Sequence, residues 1–338
     1  MKIIECVPNF SEGRNPDTLA FMKAAVASTS SAKLLGFEPD HDYNRTVVTL
    51  AGDEKGILES VLAISEAAAE KIDMRQHSGE HPRLGAIDVV PFVPVRNVTM
   101  DECVALANEY GRIIATRLHV PVFLYEEAAK LPYRKNLADI RKGEYEGLEN
   151  KLKDPAWQPD YGNAEANPKT GGIVTGARFF LVAYNVNLKT EDVSYSKEIA
   201  EVLRESGRVK KDADGNVIKI DGKSIKEPGR LQCVKGMGVK LDNYHITQVS
   251  MNLTNFMVTP IHVAFEEAKK EAARLGVEVN GSEIVGLTPL AALLDAGKFY
   301  ADGKSYSEED LVKLAIEKLG LSTLAPFDPG TKIIDYLI

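Results

Sequence analysis

The residues best equipped for chemistry gather in one stretch, His77-Ser78-Gly79-Glu80-His81-Pro82-Arg83-Leu84-Gly85-Ala86-Ile87-Asp88. Two chemistries compete for it. His77, Glu80 and His81 spell H-x-x-E-H, an inverted zinc-protease arrangement that works only where a helix sets both imidazoles on one face, a turn apart. Pro82 pushes its predecessor out of the α region and Gly79 costs a helix about 1 kcal/mol, so the stretch reads as a loop and no metal is expected. The other chemistry is acid–base. Imidazole titrates near neutral pH, so one histidine can take a proton from a nucleophile and return it to a leaving group. His81 is the better candidate: Pro82 fixes it, Glu80 and Arg83 flank it, and it precedes a strand, where loops carry function.

The other histidines carry weaker signals. His41 falls in the polar stretch Glu38-Pro39-Asp40-His41-Asp42-Tyr43-Asn44-Arg45-Thr46, which reads equally as a second ligand-contacting patch or a solvated turn. His119 ends a helix and His262 opens one, both structural positions as a rule, and His245 begins a strand without a functional reading. Gly171-Gly172-Ile173-Val174-Thr175-Gly176-Ala177-Arg178 offers backbone amides and an arginine, a place for a ligand's carboxylates. Neither G-x-x-x-x-G-K-[ST], nor a strand followed by G-x-G-x-x-G, nor G-x-S-x-G is present, which argues against nucleotide binding and against a serine hydrolase.

Periodicity supplies the elements that must hold these residues. An apolar run at Ile3 to Val7 is followed by a helix over Pro16 to Ser28, β-like runs at Lys33 to Phe37 and Thr46 to Leu50, a helix over Glu54 to Ile72 and a strand over Ala86 to Val93. A helix over Met100 to Leu118 and a strand at Pro121 to Tyr125 add one more unit. The stretch Lys130 to Gly176, with the single tryptophan Trp157, reads as a linker or binding loop. After it the order restarts: a strand at Ala177 to Val186, a helix over Glu191 to Ser206, strands near Leu231 to Val239 and Ile246 to Asn252, a helix over Pro260 to Leu275 and a strand at Glu283 to Leu287. The expected fold is α/β (α+β), two ferredoxin-like βαββαβ subdomains related by duplication, spanning 1–176 and 177–338. Asp212-Ala213-Asp214-Gly215-Asn216 opens like a calcium loop, but Lys223 stands where an EF-hand closes with glutamate, and a Gly-Asn hairpin turn between Lys211 and Ile218 explains it.

Composition narrows the class. The 338 residues are 44% hydrophobic and 27% charged, enough to bury a core, with 41 Lys plus Arg against 49 Asp plus Glu. A formal charge of −8 provides no global field for nucleic acid or an anionic membrane, so any anion site must be local. Cys6, Cys103 and Cys233 are widely spaced and odd in number, which suits a reducing compartment. Glu5 and Pro8 interrupt the start where a signal peptide needs an apolar core, and no run reaches the ~20 residues of a membrane helix, so a cytoplasmic protein is expected.

Several strings carry a resemblance: Glu5-Cys6-Val7-Pro8-Asn9-Phe10-Ser11-Glu12-Gly13, Asn44-Arg45-Thr46, Gly79-Glu80-His81-Pro82-Arg83, Asp88-Val89-Val90-Pro91-Phe92-Val93-Pro94-Val95, Gly176-Ala177-Arg178 and Val285-Gly286-Leu287-Thr288-Pro289. Together they resemble the glutamate formimidoyltransferase family over essentially the whole chain. The chain is similar to the N-terminal part of the animal formimidoyltransferase-cyclodeaminases and is expected to be the stand-alone transferase. The resemblance implies transfer of a formimidoyl group from N-formimidoyl-L-glutamate to N5 of tetrahydrofolate, two subdomains enclosing a folate tunnel, and a homodimer, with a separate cyclodeaminase as a further partner. It places the catalytic histidine on His81 and the folate-binding segment on Gly162, Asn163, Ala164, Glu165, Ala166, Asn167, Pro168, Lys169, Thr170 and Gly171. Substrates with several carboxylates need cations, and Arg45, Arg83 and Arg178 are the candidates. The chain departs from the animal pattern at Glu38-Pro39-Asp40-His41-Asp42, so the acid that orients His81 is Glu38, Asp40 or neither, and Asp40 is taken as a substrate-contacting candidate. The alternatives are a formyl donor, an H-x-x-E-H zinc hydrolase, and a folate-binding protein without turnover.

Overall fold

A computed structural model describes residues 1–29, 32–210, 212 and 216–338. Apart from its two ends, the stretch from Asp212 to Asn216 lies outside the described residues, and so does the turn expected there. The chain divides into two compact units, residues 1–179 and 180–337.

The first unit opens with β1 (Ile3–Cys6), the short β2 (Asn9–Phe10), α1 (Pro16–Ala27), β3 (Ala32–Asp40), β4 (Arg45–Gly52), α2 (Glu54–Lys71) and β5 (Ile87–Arg96). Capping explains where the helices begin: the Asn15 side chain accepts from the amides of Asp17 and Thr18 ahead of Pro16, and Asp53 accepts from Gly56. The strands order as β3-β4-β1-β5, antiparallel throughout, with β2 beside β4 and β5. This is the ferredoxin-like arrangement. To it the chain adds α3 (Met100–Leu118), held by a Thr99–Glu102 capping box, and β6 (Val122–Glu126).

Between β5 and β6 the structure inserts a parallel strand, β7 (Ile173–Ala177), where the sequence reads as a glycine loop. The residues before it are no linker either. They include α4 (Leu137–Arg141), α5 (Glu144–Leu152) and the buried Arg134, whose guanidinium binds Asp160 and the carbonyls of Ala156 and Gln158. Both helices are too short to show a clear helical period in the sequence.

Alternation assigns the faces of this sheet. Ile4, Cys6, Phe10, Val48, Leu50, Phe92, Leu124 and Ile173 join the core under α1, α2 and α3. On the opposite face, Val89, Phe123, Tyr125 and Val174 pack with Ile140, Leu148 and Leu152 of α4 and α5. The same face of β1, β2 and β4 carries Glu5, Asn9 and Arg45 in place of aliphatic side chains.

The second unit repeats the order with β8 (Val182–Leu188), α6 (Val193–Leu203), β13 (Val234–Leu241), β14 (Ile246–Leu253), α7 (Ile261–Arg274) and β15 (Val279–Val285). Its sheet runs β13-β14-β8-β15, again antiparallel throughout. Between α6 and β13 lie the short pairs β9 (Arg208–Val209) with β12 (Lys226–Glu227) and β10 (Lys219–Ile220) with β11 (Lys223–Ser224). Two further helices, α8 (Leu290–Ala301) and α9 (Glu308–Leu319), follow β15. The same strand order in both units matches the expected fold class.

One close approach ties the histidine loop to the segment before β7. The Gly172 amide donates to the Leu84 carbonyl at 3.2 Å and the Ala86 amide to Thr170 at 2.8 Å, bringing Gly85 against Gly171. A Cβ on Gly85 would stand 2.3 Å from the Gly172 oxygen and 2.5 Å from the Thr170 oxygen, and Gly171 has φ +75°. Gly85→Ala is therefore expected to lower unfolding stability by about 2 to 3 kcal/mol in urea titrations, and an unchanged midpoint would contradict this packing.

Candidate active site

Residues 78–84 contain no helix. Their shape comes from their neighbours: Asn44, in the left-handed region at φ 49°, accepts from the Gly13 amide and donates to the Ser78 carbonyl, and Arg14 reaches the carbonyls of His41, Asp42 and Ser78. Gly79 lies so close to the chain that an added Cβ would meet the Tyr43 oxygen at 2.4 Å. The β3–β4 hairpin thus holds the histidine loop.

His81 Nε2 lies 2.9 Å from Arg45 Nη1. A guanidinium only donates, so Nε2 accepts and the ring is neutral with its proton on Nδ1. Burial, and after it the positive charges of Arg45 and Arg141, push His81 below the usual imidazole range, while Asp88 and a Pro82 backbone hydrogen bond pull the other way. Arg45 also donates to Asn9 Oδ1 at 3.2 Å and stands 5.9 Å from the Tyr43 ring, whose edge meets His81 at 6.1 Å. Its Nε is buried and has no hydrogen-bond partner among the described residues. A guanidinium held with a spare buried donor has capacity left for a ligand's carboxylate.

His77 differs. Its Nε2 donates to the Asn44 carbonyl at 3.0 Å and its Nδ1 accepts from Arg83 Nε at 3.3 Å, so both nitrogens are occupied. Among the described residues no group of three or more His, Cys, Asp or Glu side chains is disposed to hold a metal ion.

Asp88, 1% exposed, fixes the far end of the loop. One carboxylate oxygen accepts from the Leu84 amide at 2.9 Å and from Arg141 Nε at 3.2 Å, and the other pairs with Arg141 Nη2. Arg141 has no local signature in the sequence, because its partner lies 53 residues away on another element.

The structure treats the four substrate candidates unequally. Asp40 ends β3 directly opposite Arg45, caps the Tyr43 amide at 2.9 Å and acts electrostatically on Arg45, so it belongs with His81. Arg83 is spent internally: Nη1 donates to Glu144 at 2.8 Å and to Glu146 at 3.0 Å, Nη2 to Glu146 at 2.6 Å, and Nε to His77. It clamps the loop to α5. Arg178 follows β7 with its amide on the Phe92 carbonyl, four residues along β5 from Asp88, or about 13 Å at the usual strand rise. The glycines before it form no anion cradle, because the amides of Gly171, Gly172 and Ile173 already bond to Asn167, Leu84 and Pro121.

The segment Gly162–Gly171 folds onto itself through Asn167, whose Oδ1 accepts from the amides of Lys169 and Thr170. Lys169 Nζ reaches the Glu70 carbonyl, so this lysine is also engaged. Ala164, Glu165, Ala166, Asn167 and Pro168 form one wall of a cleft of about 580 Å³ facing Tyr145, Glu146, Glu149 and Lys153. The first unit's other histidines have their own contacts, His41 lying 3.7 Å from Asp42 and His119 capping α3; in the second unit His262 stacks on Phe299 at 4.5 Å and His245 lies 3.4 Å from Glu191.

Comparison with known proteins identifies the family. Residues 3–178 match the model of the formiminotransferase domain's N-terminal subdomain, and residues 183–338 match that of the formiminotransferase domain. The chain belongs to the formiminotransferase family. A formimidoyltransferase-cyclodeaminase of Dictyostelium discoideum is 47% identical over the whole of this chain and 60% of its own length. The chain thus spans 60% of such two-function relatives. A glutamate formimidoyltransferase of Streptococcus pyogenes serotype M1 is 42% identical over 88% of this chain and 93% of its own. Another, from Thermoplasma acidophilum, is 41% identical over 94% and 98%. Among the described residues no helix of the chain is long and apolar enough to cross a membrane.

The contact between Arg45 and His81 makes a direct prediction. Replacing Arg45 with Met removes both the donor to Nε2 and a repulsive charge, so the His81 pKa should rise toward the usual imidazole value in an NMR titration; an unchanged pKa would contradict the assignment.

Proposed function

We propose that this chain transfers the formimidoyl group of N-formimidoyl-L-glutamate to N5 of tetrahydrofolate, with His81 as general base and then general acid. The observation that carries the reading is a neutral, half-buried imidazole whose accepting nitrogen faces a guanidinium, in a chain of the formiminotransferase family. Attack by N5 on the formimidoyl carbon forms a C–N bond and makes the N5 proton acidic. His81 Nε2 takes that proton once Arg45 turns to a substrate carboxylate. The carbon–nitrogen bond to glutamate then breaks, and the imidazolium returns the proton to the departing amine. Tetrahydrofolate serves as co-substrate.

In this reading Asp40 and Arg45 bind substrate beside His81, and Arg178 binds it farther along the sheet. Arg83 positions the loop. The cleft along Ala164–Pro168 supports the assignment of Gly162–Gly171 to folate. The names of the relatives support the substrates. The reading extends to a cytoplasmic homodimer working beside a separate cyclodeaminase, for which family resemblance is the only support.

The test is release of glutamate from N-formimidoyl-L-glutamate in the presence of tetrahydrofolate. His81→Ala, folded by circular dichroism, should lower kcat by roughly 10²- to 10⁴-fold. Wild-type activity that is absent with tetrahydrofolate, or that appears only with N-formyl-L-glutamate, would overturn the reaction, and full activity of the variant would remove His81 from it.

A further inference from the structure

Glu5 is the buried charge that the reaction at His81 leaves unexplained. It lies in β1, is 5% exposed, and among the described residues has no hydrogen bond or ion pair to its carboxylate. An unpaired buried carboxylate is costly, so its retention calls for a partner that arrives with a ligand. Burial pushes the Glu5 carboxyl up to about 7, with Arg178 pulling it down.

The strand register places these two residues. Glu5 pairs with Val93 on one side of β5, and the Arg178 amide meets the Phe92 carbonyl on the other. Both follow the alternation of the face that carries Asn9, Arg45 and Tyr125. Two strand spacings of ~4.8 Å separate their backbones, and no ion pair joins them. Between them lies Val93; two residues back along β5 is Pro91, opposite Gly176, and the missing side chain of Gly176 admits the Tyr125 ring: a Cβ there would stand 2.6 Å from Tyr125 Cδ1. A carboxylate and a guanidinium thus flank Val93, with a proline and an aromatic ring beside them on the same sheet face, on the side toward Asp88.

We infer that Glu5 accepts the paired N–H donors of the 2-amino-4-oxopyrimidine edge of the folate ring, with Arg178 facing the ring carbonyl. This deepens the transferase reading and rests on it. A carboxylate matches an amidine-type N–C–N fork with two parallel hydrogen bonds. Both proposed substrates contain such a fork, the formimidoyl group of the donor and the pyrimidine edge of folate. Position separates them. The formimidoyl carbon must react at His81, whereas Glu5 lies five residues along β5 from Asp88, level with Val93. A pyrimidine edge held by Glu5 directs the other ring, which bears N5, back along β5 toward His81.

The test measures binding of 5-formyltetrahydrofolate, which does not react, and of its 2-desamino analogue to the wild type and to Glu5→Gln by calorimetry, with KM values for both substrates. Charged hydrogen bonds of this kind are worth about tenfold or more. Glu5→Gln should weaken 5-formyltetrahydrofolate by about that factor and raise the KM for tetrahydrofolate alone. The wild type should bind the desamino analogue as weakly as the variant binds the parent, and the variant should not distinguish the two. The analogue tests the inference on the wild type, independently of how the variant folds.

The variant also has an internal folding control. A carboxyl whose pKa is raised on folding destabilises the native state as pH rises from about 4.5 to about 7, so Glu5→Gln should be at least as stable as the wild type at pH 8. Arg178 faces Glu5 across β5, and the neighbouring Cys6 points to the helix side, where burial keeps its thiol protonated. Equal folate binding by wild type and variant overturns the inference. A loss confined to the donor's KM also overturns it and assigns Glu5 to the donor. Failure of the wild type to bind 5-formyltetrahydrofolate would take down the transferase reading, and this inference with it.

Discussion

The first unit's site depends on the carboxylate of Asp88. It is buried at the start of β5, where it satisfies the Leu84 amide that ends the histidine loop and holds Arg141 at the end of α4 in a two-point contact. An ion pair of this kind contributes little net stability, because desolvation offsets the attraction, but breaking it costs about 3 to 5 kcal/mol by stranding a buried charge. Its value here is geometric. It sets the loop, α4 and β5 against one another, and Arg141 then acts as a fixed positive charge within reach of both His81 and Arg45.

Charge around His81 follows from that arrangement. Partial burial and, after it, two arginines favour the neutral ring, and one donor from Arg45 fixes which nitrogen carries the lone pair. A base must be neutral before it acts, so the cluster sets the protonation state that the proposed reaction starts from. In the proposed reaction the same cations are what a protein of net charge −8 offers to a substrate's carboxylates. Arg83, more deeply buried, does a different job, since Glu144 and Glu146 have already neutralised it.

Much of this was legible in the sequence, and the reasons differ by element. Apart from the two-residue β2, too short to be read, the order of β1 through α3 could be read because each element is long enough to show its period, as Glu54 to Lys71 does over five turns. β7 could not, because Gly171, Gly172 and Gly176 look like punctuation; two of them are there so that backbone can approach backbone or a tyrosine ring can lie flat. His81 stood out because Pro82 and Arg83 flank it. Arg141 and Glu5 did not, because their significance comes from strands and helices brought together from distant positions, and one acidic residue in a strand has no local signature. Arg83 and Arg178 looked equivalent as candidates, and only the contacts of Arg83 with α5 separate them.

The central claim is that His81 is a base kept neutral by burial and by the charges of Arg45 and Arg141, and the pH dependence of kcat/KM tests it most directly. The acid limb of the wild-type profile should have its midpoint below the usual imidazole value of about 6.5 and coincide with the His81 pKa measured by NMR. An acid limb at or above that value, or one that differs from the titration of His81, would contradict the account.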